Sequence, residues 1–445
     1  MKLRKRITAV GALAVGTAVA LTGCAGGGTG TDGGSGGGNA GGKVVITGAF
    51  TGDQQTAFQK DLATWAEAEG IDVEYTGNNS FQTAIITQVR GGQAPNIAIF
   101  PQPGVLKSLI GDGMVALEDM IDVPATIADE AAGLPDIAKV NGKTYGLPYS
   151  INVKSLVWYN PAAFEKAGLE VPTTDAELVA LQEQIISEDL GYPWCLGIAS
   201  SGSNGWPMTD WFEEYVLRYG GLDQYNKWIT HEVLWDSEVV RQAAGKIEDT
   251  LFAEGAVNGG GKAAAATDFG VAGNDLFVEG KGEGQCFMMR QGTFITDFFP
   301  DDIKAQIADG DTTNINAFVL PTPEGATNGV LGGGDLVAAF KNDDNTKKVL
   351  AYITGKEFGT NGYAAGFGSF LSPHNEFDQE QYITPFQPIA AEAVANAEAF
   401  GFDASDQMPG AVGAGTAWTN LTQWTSGAQN LDETLKAIDA SWPTS

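Results

Sequence analysis

Residues 43–104 run KVVITGAFTGDQQTAFQKDLATWAEAEGIDVEYTGNNSFQTAIITQVRGGQAPNIAIFPQPG. Val44-Val45-Ile46 is a short β-branched strand, followed by a helix-period stretch that carries Phe58, Leu62 and Trp65 and stops at Gly70. Ile71 to Tyr75 alternates as a second strand. Another amphipathic segment, Phe81 to Val89, ends at Gly91-Gly92 and feeds the apolar strand Asn96 to Phe100. Strand and helix alternate at the spacing of βαβ units, which predicts an α/β protein with a parallel, doubly wound sheet. In such sheets ligands gather beyond the carboxyl ends of the strands. The segment Phe100-Pro101-Gln102-Pro103-Gly104 lies at such an end; its prolines stiffen it, and Gln102 offers both a donor and an acceptor. On composition alone the same segment reads equally as a plain turn.

Helix signals continue downstream. Thr174 with Glu177 forms a capping box ahead of Leu178, Leu181 and Ile185, and Asn430 with Glu433 does the same before Leu435 and Ile438. From Val44 onward the chain holds about 400 residues, more than one ordinary core accommodates, so two lobes are expected.

The N-terminal end reads differently. Residues 1–24 begin with Lys2, Arg4, Lys5 and Arg6, continue through an apolar run from Ile7 to Ala20, and reach Leu21-Thr22-Gly23-Cys24. The run is shorter than the roughly 20 apolar residues a bilayer-crossing helix needs, so it reads as a signal peptide. The tetrad resembles the bacterial lipobox, which implies cleavage before Cys24, acylation of its thiol, and a chain anchored by lipid to the outer face of the cytoplasmic membrane. Residues 25–42 are almost entirely Gly with Ser, Thr, Asn and Ala, a flexible tether whose random-coil span is about 20–25 Å.

The chain carries 25 Lys and Arg against 55 Asp and Glu, a formal charge of −30, and loss of the leader would remove only basic residues. Nucleic acid is thereby disfavoured as a partner. The same field repels anionic solutes and leaves neutral or cationic ones, although solubility alone would also account for it. After Cys24 only Cys195 and Cys286 remain. In an oxidising compartment two thiols tend to pair, and a Cys195–Cys286 disulfide is the expectation; two separately buried thiols is the alternative.

No catalytic constellation emerges. His231 and His374 are the two histidines; His231-Glu232 begins like a zinc-protease motif, but Trp235 stands where the second histidine is needed. No phosphate loop occurs, the G-x-S-x-G pattern falls only within the Gly-rich tether (Gly33 to Gly37) and not at a strand-to-helix elbow, and Gly332-Gly333-Gly334-Asp335 lacks the lysine of a phosphate loop and reads as close backbone approach at a turn or lobe crossing. No metal or cofactor is implied. A glycoside hydrolase with two opposed carboxylates stays open on composition, because folding can bring any two together.

Several tryptophans sit among glycines, prolines and small polar residues, and so read as loop aromatics. Trp206 stands before Pro207, Asp210 and Trp211, and Trp418 follows Gly413-Ala414-Gly415-Thr416-Ala417. A pyranose offers an apolar face to an indole and hydroxyls to carboxylate, amide or guanidinium partners, so an aromatic beside Asp, Asn, Gln or Arg suits a sugar. Core packing is the competing account of any one tryptophan. Trp65 and Trp228, in amphipathic patterns, are assigned to the core.

The segments Pro95 to Gly104, Gly142 to Tyr149 and Lys154 to Pro161 resemble family 1 extracellular solute-binding proteins. Gly205 to Trp211, Met289-Arg290-Gln291, Gly333 to Leu336 and Phe402 to Pro409 resemble its α-glucoside-binding branch. Asn96 departs from the usual Asp of that pattern, and Ala404 from the usual Gly. The resemblance implies a two-lobed, maltose-binding-protein-like fold with hinge strands near Tyr149 to Lys154, Gly333 and Ser372. Residues 44–150 and 331–371 would form one lobe, and 151–330 and 372–445 the other. It further implies an oligosaccharide ligand, delivery to ABC transporter permease subunits, and no catalysis by this chain; a surface adhesin on the same fold is a third reading. Carried over position by position, the ligand contacts would be Gln102, Trp206, Asp210, Arg290, Gln291, Phe294, Asp335, Asp406 and Trp418.

Overall fold

The computed structural model describes residues 42–78, 80–130, 133–200, 204–366 and 369–443. The leader, Cys24 and all of the tether but Gly42 lie outside the described residues.

The opening stretch folds as its periodicity dictates. Strand β1 (Val44–Gly48) leads into the helix Gly52–Glu69, which buries Phe58 and Leu62 and is closed by Gly70 in the left-handed region (φ 66°). Strand β2 (Val73–Gly77), the helix Phe81–Arg90 and strand β3 (Ile97–Phe100) follow. β1 pairs in parallel with both β2 and β3, Ile46 lying opposite Tyr75 on one side and Ile97 on the other.

Parallel pairing goes no further in this part of the sheet. A hairpin, β4 (Lys139–Val140) with β5 (Lys143–Thr144), precedes β6 (Leu147–Val153), which pairs antiparallel with β11 (Gly329–Ala339). β11 is also antiparallel to β3, Leu336 facing Phe100, and its first residues run parallel to β12 (Ala399–Phe402). A second sheet has the order β10 (Asn316–Val319), β7 (Leu156–Tyr159), β9 (Cys286–Arg290), β8 (Tyr192–Trp194), in which β7 is antiparallel to both neighbours. The expected parallel, doubly wound sheet is therefore corrected to two mixed sheets. A strand that returns after a long excursion needs no βαβ crossover and can enter in either direction.

β6 and β11 connect the two sheets' surroundings. β6 passes through Lys154 into β7 of the second sheet, while β11 is flanked by β12 at its start and by β3 at its end, with a register shift between Asp335 and Leu336. The amide of Ile151 donates to the carbonyl of Leu371 over 2.9 Å, so a third segment lies beside them. The glycine run permits this crowding. A Cβ on Gly332 would stand 2.4 Å from the Asn152 carbonyl, and one on Gly334 2.3 Å from that of Ser150.

Residues 374–377 pack on segments earlier in the chain: His374 Nδ1 is 2.7 Å from Asp129, its Nε2 is 3.0 Å from the Thr354 carbonyl, and Phe377 meets Phe370 at 5.7 Å. The chain reaches β10 only with the helix Phe386–Ala395. Both capping boxes form as read, Thr174 with Glu177 and Asn430 with Glu433. Cys195, just after β8, and Cys286, the first residue of β9, are joined by a disulfide with their Cα atoms 5.3 Å apart.

Candidate ligand-binding site

The helix Trp206–Ile229 starts abruptly because Gly205 sits in the left-handed region (φ 108°) and Pro207 occupies the first turn. From Pro207 to Arg218 every side chain on it is buried, so Asp210, Glu213, Glu214 and Arg218 cannot reach water and must be satisfied internally. Two networks do most of this, leaving Asp210 Oδ2, Glu213 Oε2 and Arg218 Nε without a partner among the described residues. In the first, Lys154 Nζ lies 2.8 Å from Asp210 Oδ1 and 2.6 Å from Asp403 Oδ2. Asp403 caps the short helix Ala404–Gln407, taking hydrogen bonds from the Asp406 amide (2.8 Å) and the Ser405 hydroxyl (2.9 Å), while Glu213 accepts from the Ser405 amide (3.0 Å). In the second, Glu214 accepts from Arg290 (2.6 Å), Arg218 (2.7 Å) and the Ser155 hydroxyl (2.9 Å), and Ser155 in turn accepts from the Leu331 amide at 2.7 Å.

The charges in the first network do not balance. Burial acts to discharge Lys154, but the Asp210 and Asp403 carboxylates more than reverse that and keep it a cation. Burial would likewise raise Asp403, yet Lys154 and its hydrogen-bond donors hold it below the usual carboxylate range. The deficit falls on the others: burial, with Asp403 beside them, drives Glu213 and Asp406 well above their ordinary values, and Asp210 rises to about 6. Asp335, at the register shift of β11, is pushed up to about 7 by burial. Asp210, Glu213 and Asp403 lie close enough to hold a cation, and Lys154 already pairs with two of them, Asp210 and Asp403.

Gln102 caps the helix Pro103–Lys107 and accepts from Gln82 Nε2 at 2.9 Å, so the segment read as a loop is a helix start. A Cβ on Gly104, one turn in, would stand 3.1 Å from the Asp406 carbonyl and 3.3 Å from that of Met408, which sets this helix against the Asp406 turn. Trp206 meets Phe294 edge to face at 5.9 Å and Phe269 at 4.8 Å, and Lys154 Nζ lies 5.4 Å from its ring. Trp206, Phe294, Asp335, Asp406 and Trp418 all keep part of their surface accessible.

Other expectations shift. Trp206 and Trp418, expected on loops, open helices: Trp418 begins Trp418–Thr425, reached through a π-helical turn that the small residues of Val412–Ala417 allow. Arg290 and Gln291 are engaged within the protein. Arg290 is buried against Trp211 (5.1 Å) and held by Glu214, and Gln291 accepts the Gly292 amide on its side chain and the Trp158 indole on its carbonyl. Trp228 is fully buried as expected, whereas Trp65 is only half-buried and stacks on Tyr352 at 4.4 Å. Sequence reasoning passed over Lys154, Asp403, Glu213, Glu214 and Arg218. The available signal was a lone lysine between two apolar strands, and four charges on a helix segment otherwise apolar on every face.

Residues 51–360 match the profile of a family described as bacterial extracellular solute-binding protein. The chain is 35% identical over 428 residues to the osmoprotective compounds-binding protein GgtB of Synechocystis sp., covering 96% of this chain and 97% of GgtB. It is 33% identical over 409 residues to the alpha-glucosides-binding periplasmic protein AglE of Rhizobium meliloti, covering 90% and 86%. Among solved structures, the bacterial solute receptor AcbH superposes with a TM-score of 0.72 at 18% identity, over 90% of this chain and 97% of AcbH. RafE from Streptococcus pneumoniae does so with a TM-score of 0.69 at 15% identity, over 91% and 98%. With a profile matched over most of its length and relatives aligned almost end to end, the protein belongs to the bacterial extracellular solute-binding proteins.

Proposed function

We propose that this chain captures an α-glucoside-like oligosaccharide between two lobes and delivers it to the permease subunits of an ABC importer, without altering it. One lobe is formed by the β1–β3 side of the first sheet with residues up to about 382, the other by the second sheet and the Trp206 helix, and β6 and β11 act as the hinge. The observation that supports the reading is the edge-to-face pair of Trp206 and Phe294, with both rings and the Asp335 and Asp406 residues keeping accessible surface: ring faces suit the apolar side of a pyranose, and carboxylates its hydroxyls. The alignment with AglE across most of the chain supports the same ligand class.

Calorimetric titration of the tag-free mature domain with maltose, trehalose, sucrose and isomaltose tests this reading. Stoichiometric binding of at least one is expected, and prolonged incubation should return that sugar intact. Release of glucose that one carboxylate substitution abolishes would make the protein a hydrolase, and binding only to polymeric or host-surface glycans would make it an adhesin. We further propose that a lipid on Cys24 holds the protein at the outer face of the membrane, so that Cys24→Ala leaves the membrane fraction; sedimentation of that variant with membranes would refute the anchor.

A further inference from the structure

The tether of residues 25–42 ends at Gly42, whose carbonyl accepts from Asn345 Nδ2 at 3.3 Å. Asn345 lies in the first turn of the helix Asp344–Ile353, which buries Val349, Leu350 and Ile353 among the side chains of β1 and β3. The chain therefore enters the folded body beside this helix, and a lipid on Cys24 would hold that point within the tether's span of about 20–25 Å. The same place is unusual in charge. Residues 341–356 carry Lys341, Lys347, Lys348 and Lys356 against Asp343 and Asp344, in a chain with 25 basic and 55 acidic residues. No other stretch of 16 residues among the described ones holds four basic side chains. Asp343 is occupied as the helix cap, accepting from the Thr346 amide (3.0 Å) and hydroxyl (2.7 Å). Lys341 and Lys347 form no ion pair among the described residues. The pairs of Lys348 with Glu69 (3.3 Å) and Lys356 with Glu376 (2.9 Å) are solvent-exposed, so these two lysines can change partner at little cost.

We propose that this face rests, through Lys341, Lys347 and Lys348, on the anionic phospholipid headgroups of the membrane that holds the tether, which makes the first lobe the membrane-proximal one. The inference rests on the proposed lipid anchor and adds the orientation that the anchor gives. The negative charge of the whole body does not oppose it, because screening at physiological salt confines the interaction to side chains within about 8–10 Å of the surface. Each lysine brought to an anionic surface shifts the population about fivefold. A tether of this length also supplies a local concentration on the order of millimolar, so contacts too weak to hold the free body suffice once it is tethered.

Amine footprinting tests the orientation. The acylated mature chain, purified from membranes, is inserted into vesicles of phosphatidylcholine alone or mixed with phosphatidylglycerol, and acetylation of each lysine by a neutral reagent is followed by mass spectrometry. On the anionic vesicles at low salt, Lys341, Lys347, Lys348 and Lys356 should react at least about fivefold more slowly than on the neutral ones. Lys166 and Lys304, exposed on the second lobe, should react alike on both. High salt should remove the difference. Lys356 lines the same groove as Lys347 and Lys348, so it reports on a variant that lacks them. In the combined Lys341→Gln, Lys347→Gln and Lys348→Gln variant, Lys356 should lose its protection. Protection of none of these lysines, protection equal on both vesicles, or protection of Lys166 or Lys304 in their place overturns the inference and leaves the anchor standing. Failure of the mature chain to float with either vesicle removes the anchor, and this inference with it.

Discussion

Gly205 lies directly under the carbonyl of Trp418: a Cβ added at Gly205 would stand 2.2 Å from that oxygen. Two helix starts that each present a tryptophan are thus held together through a residue that must be glycine on two grounds, the contact and its φ of 108°. Gly205→Ala should therefore destabilise the protein by about 1–3 kcal/mol from the backbone conformation alone, with further loss from the overlap. Urea unfolding measures the first quantity and sugar titration the coupled loss of affinity. A variant that melts like the parent would mean that the two helix starts do not touch.

Trp206→Ala and Trp418→Ala should separate from Trp228→Ala. Truncating a desolvated aromatic anchor costs about 2–4 kcal/mol of binding, a loss of roughly 30- to 1000-fold in affinity. Trp228 is fully buried, and its truncation should instead cost about 3–5 kcal/mol of stability while the folded fraction binds normally. Melting and titration on the same three proteins decide the matter. Parent-like affinity in both Trp206→Ala and Trp418→Ala would displace the proposed site.

Lys154→Met removes the cation paired with both Asp210 and Asp403 and leaves the two carboxylates without that partner in a buried setting. Breaking a buried pair in this way costs about 3–5 kcal/mol. Adding Asp210→Asn and Asp403→Asn to that variant should restore most of the loss, because no unpaired charge then remains. Unfolding midpoints of the single and triple variants test this, and equal destabilisation in both would show that the lysine matters for packing, not for charge.

Stability should rise as the pH is lowered from 7 toward about 5. Asp335 and Asp210 have ordinary values of 3.8 and folded-state values of about 7 and about 6, so across that window the folded chain takes up protons that the unfolded chain does not. Asp403 and Glu214, held below their ordinary values, begin to lose their contribution only at lower pH. Thermal melts across the range should show the increase, and Asp335→Asn should flatten it. A melting temperature that falls steadily from pH 7 to pH 5 would contradict the burial of these carboxylates.

The Cys195–Cys286 bond spans 91 residues of sequence, and closing a loop of that length restricts the unfolded chain by about 4–5 kcal/mol in the chain-entropy account. Replacing both cysteines with serine should lower unfolding stability by about 2–5 kcal/mol. A non-reduced digest should yield the linked peptides by mass spectrometry, and two freely alkylated cysteines would dismiss the bond.

Local patterns carried the reading wherever structure is local. The helix carrying Phe58 and Leu62, the stop at Gly70 and the Thr174–Glu177 box follow from nearest-neighbour chemistry and form as read. What escaped depends on partners distant in sequence. That β11 lies antiparallel to β3 depends on residues 336–339 returning to 97–100, and no local period encodes it. The candidate site divides the same way. Trp206 could be named from composition and Phe294, Asp335 and Asp406 from the family resemblance, but the occupation of Arg290 by Glu214 and of Asp210 by Lys154 could not. The burial of Glu213, Glu214 and Arg218 on all sides is a property of the neighbours, not of the helix that carries them.

The pairing of Phe100 with Leu336 also constrains the order in which the molecule can assemble. A ribosome or a secretion channel delivers β1, β2 and β3 early, but the edge of β3 stays open until β11 has emerged, after most of the chain. Contacts so distant in sequence fold slowly, and an open edge of Ile97-Ala98-Ile99-Phe100 is a template for association with other chains. A fragment truncated before Gly329 should accordingly aggregate instead of folding as a small stable domain. The same delay keeps the chain threadable while it is being moved, and ties completion of the first sheet to arrival of the strand that also runs beside β6 and β12.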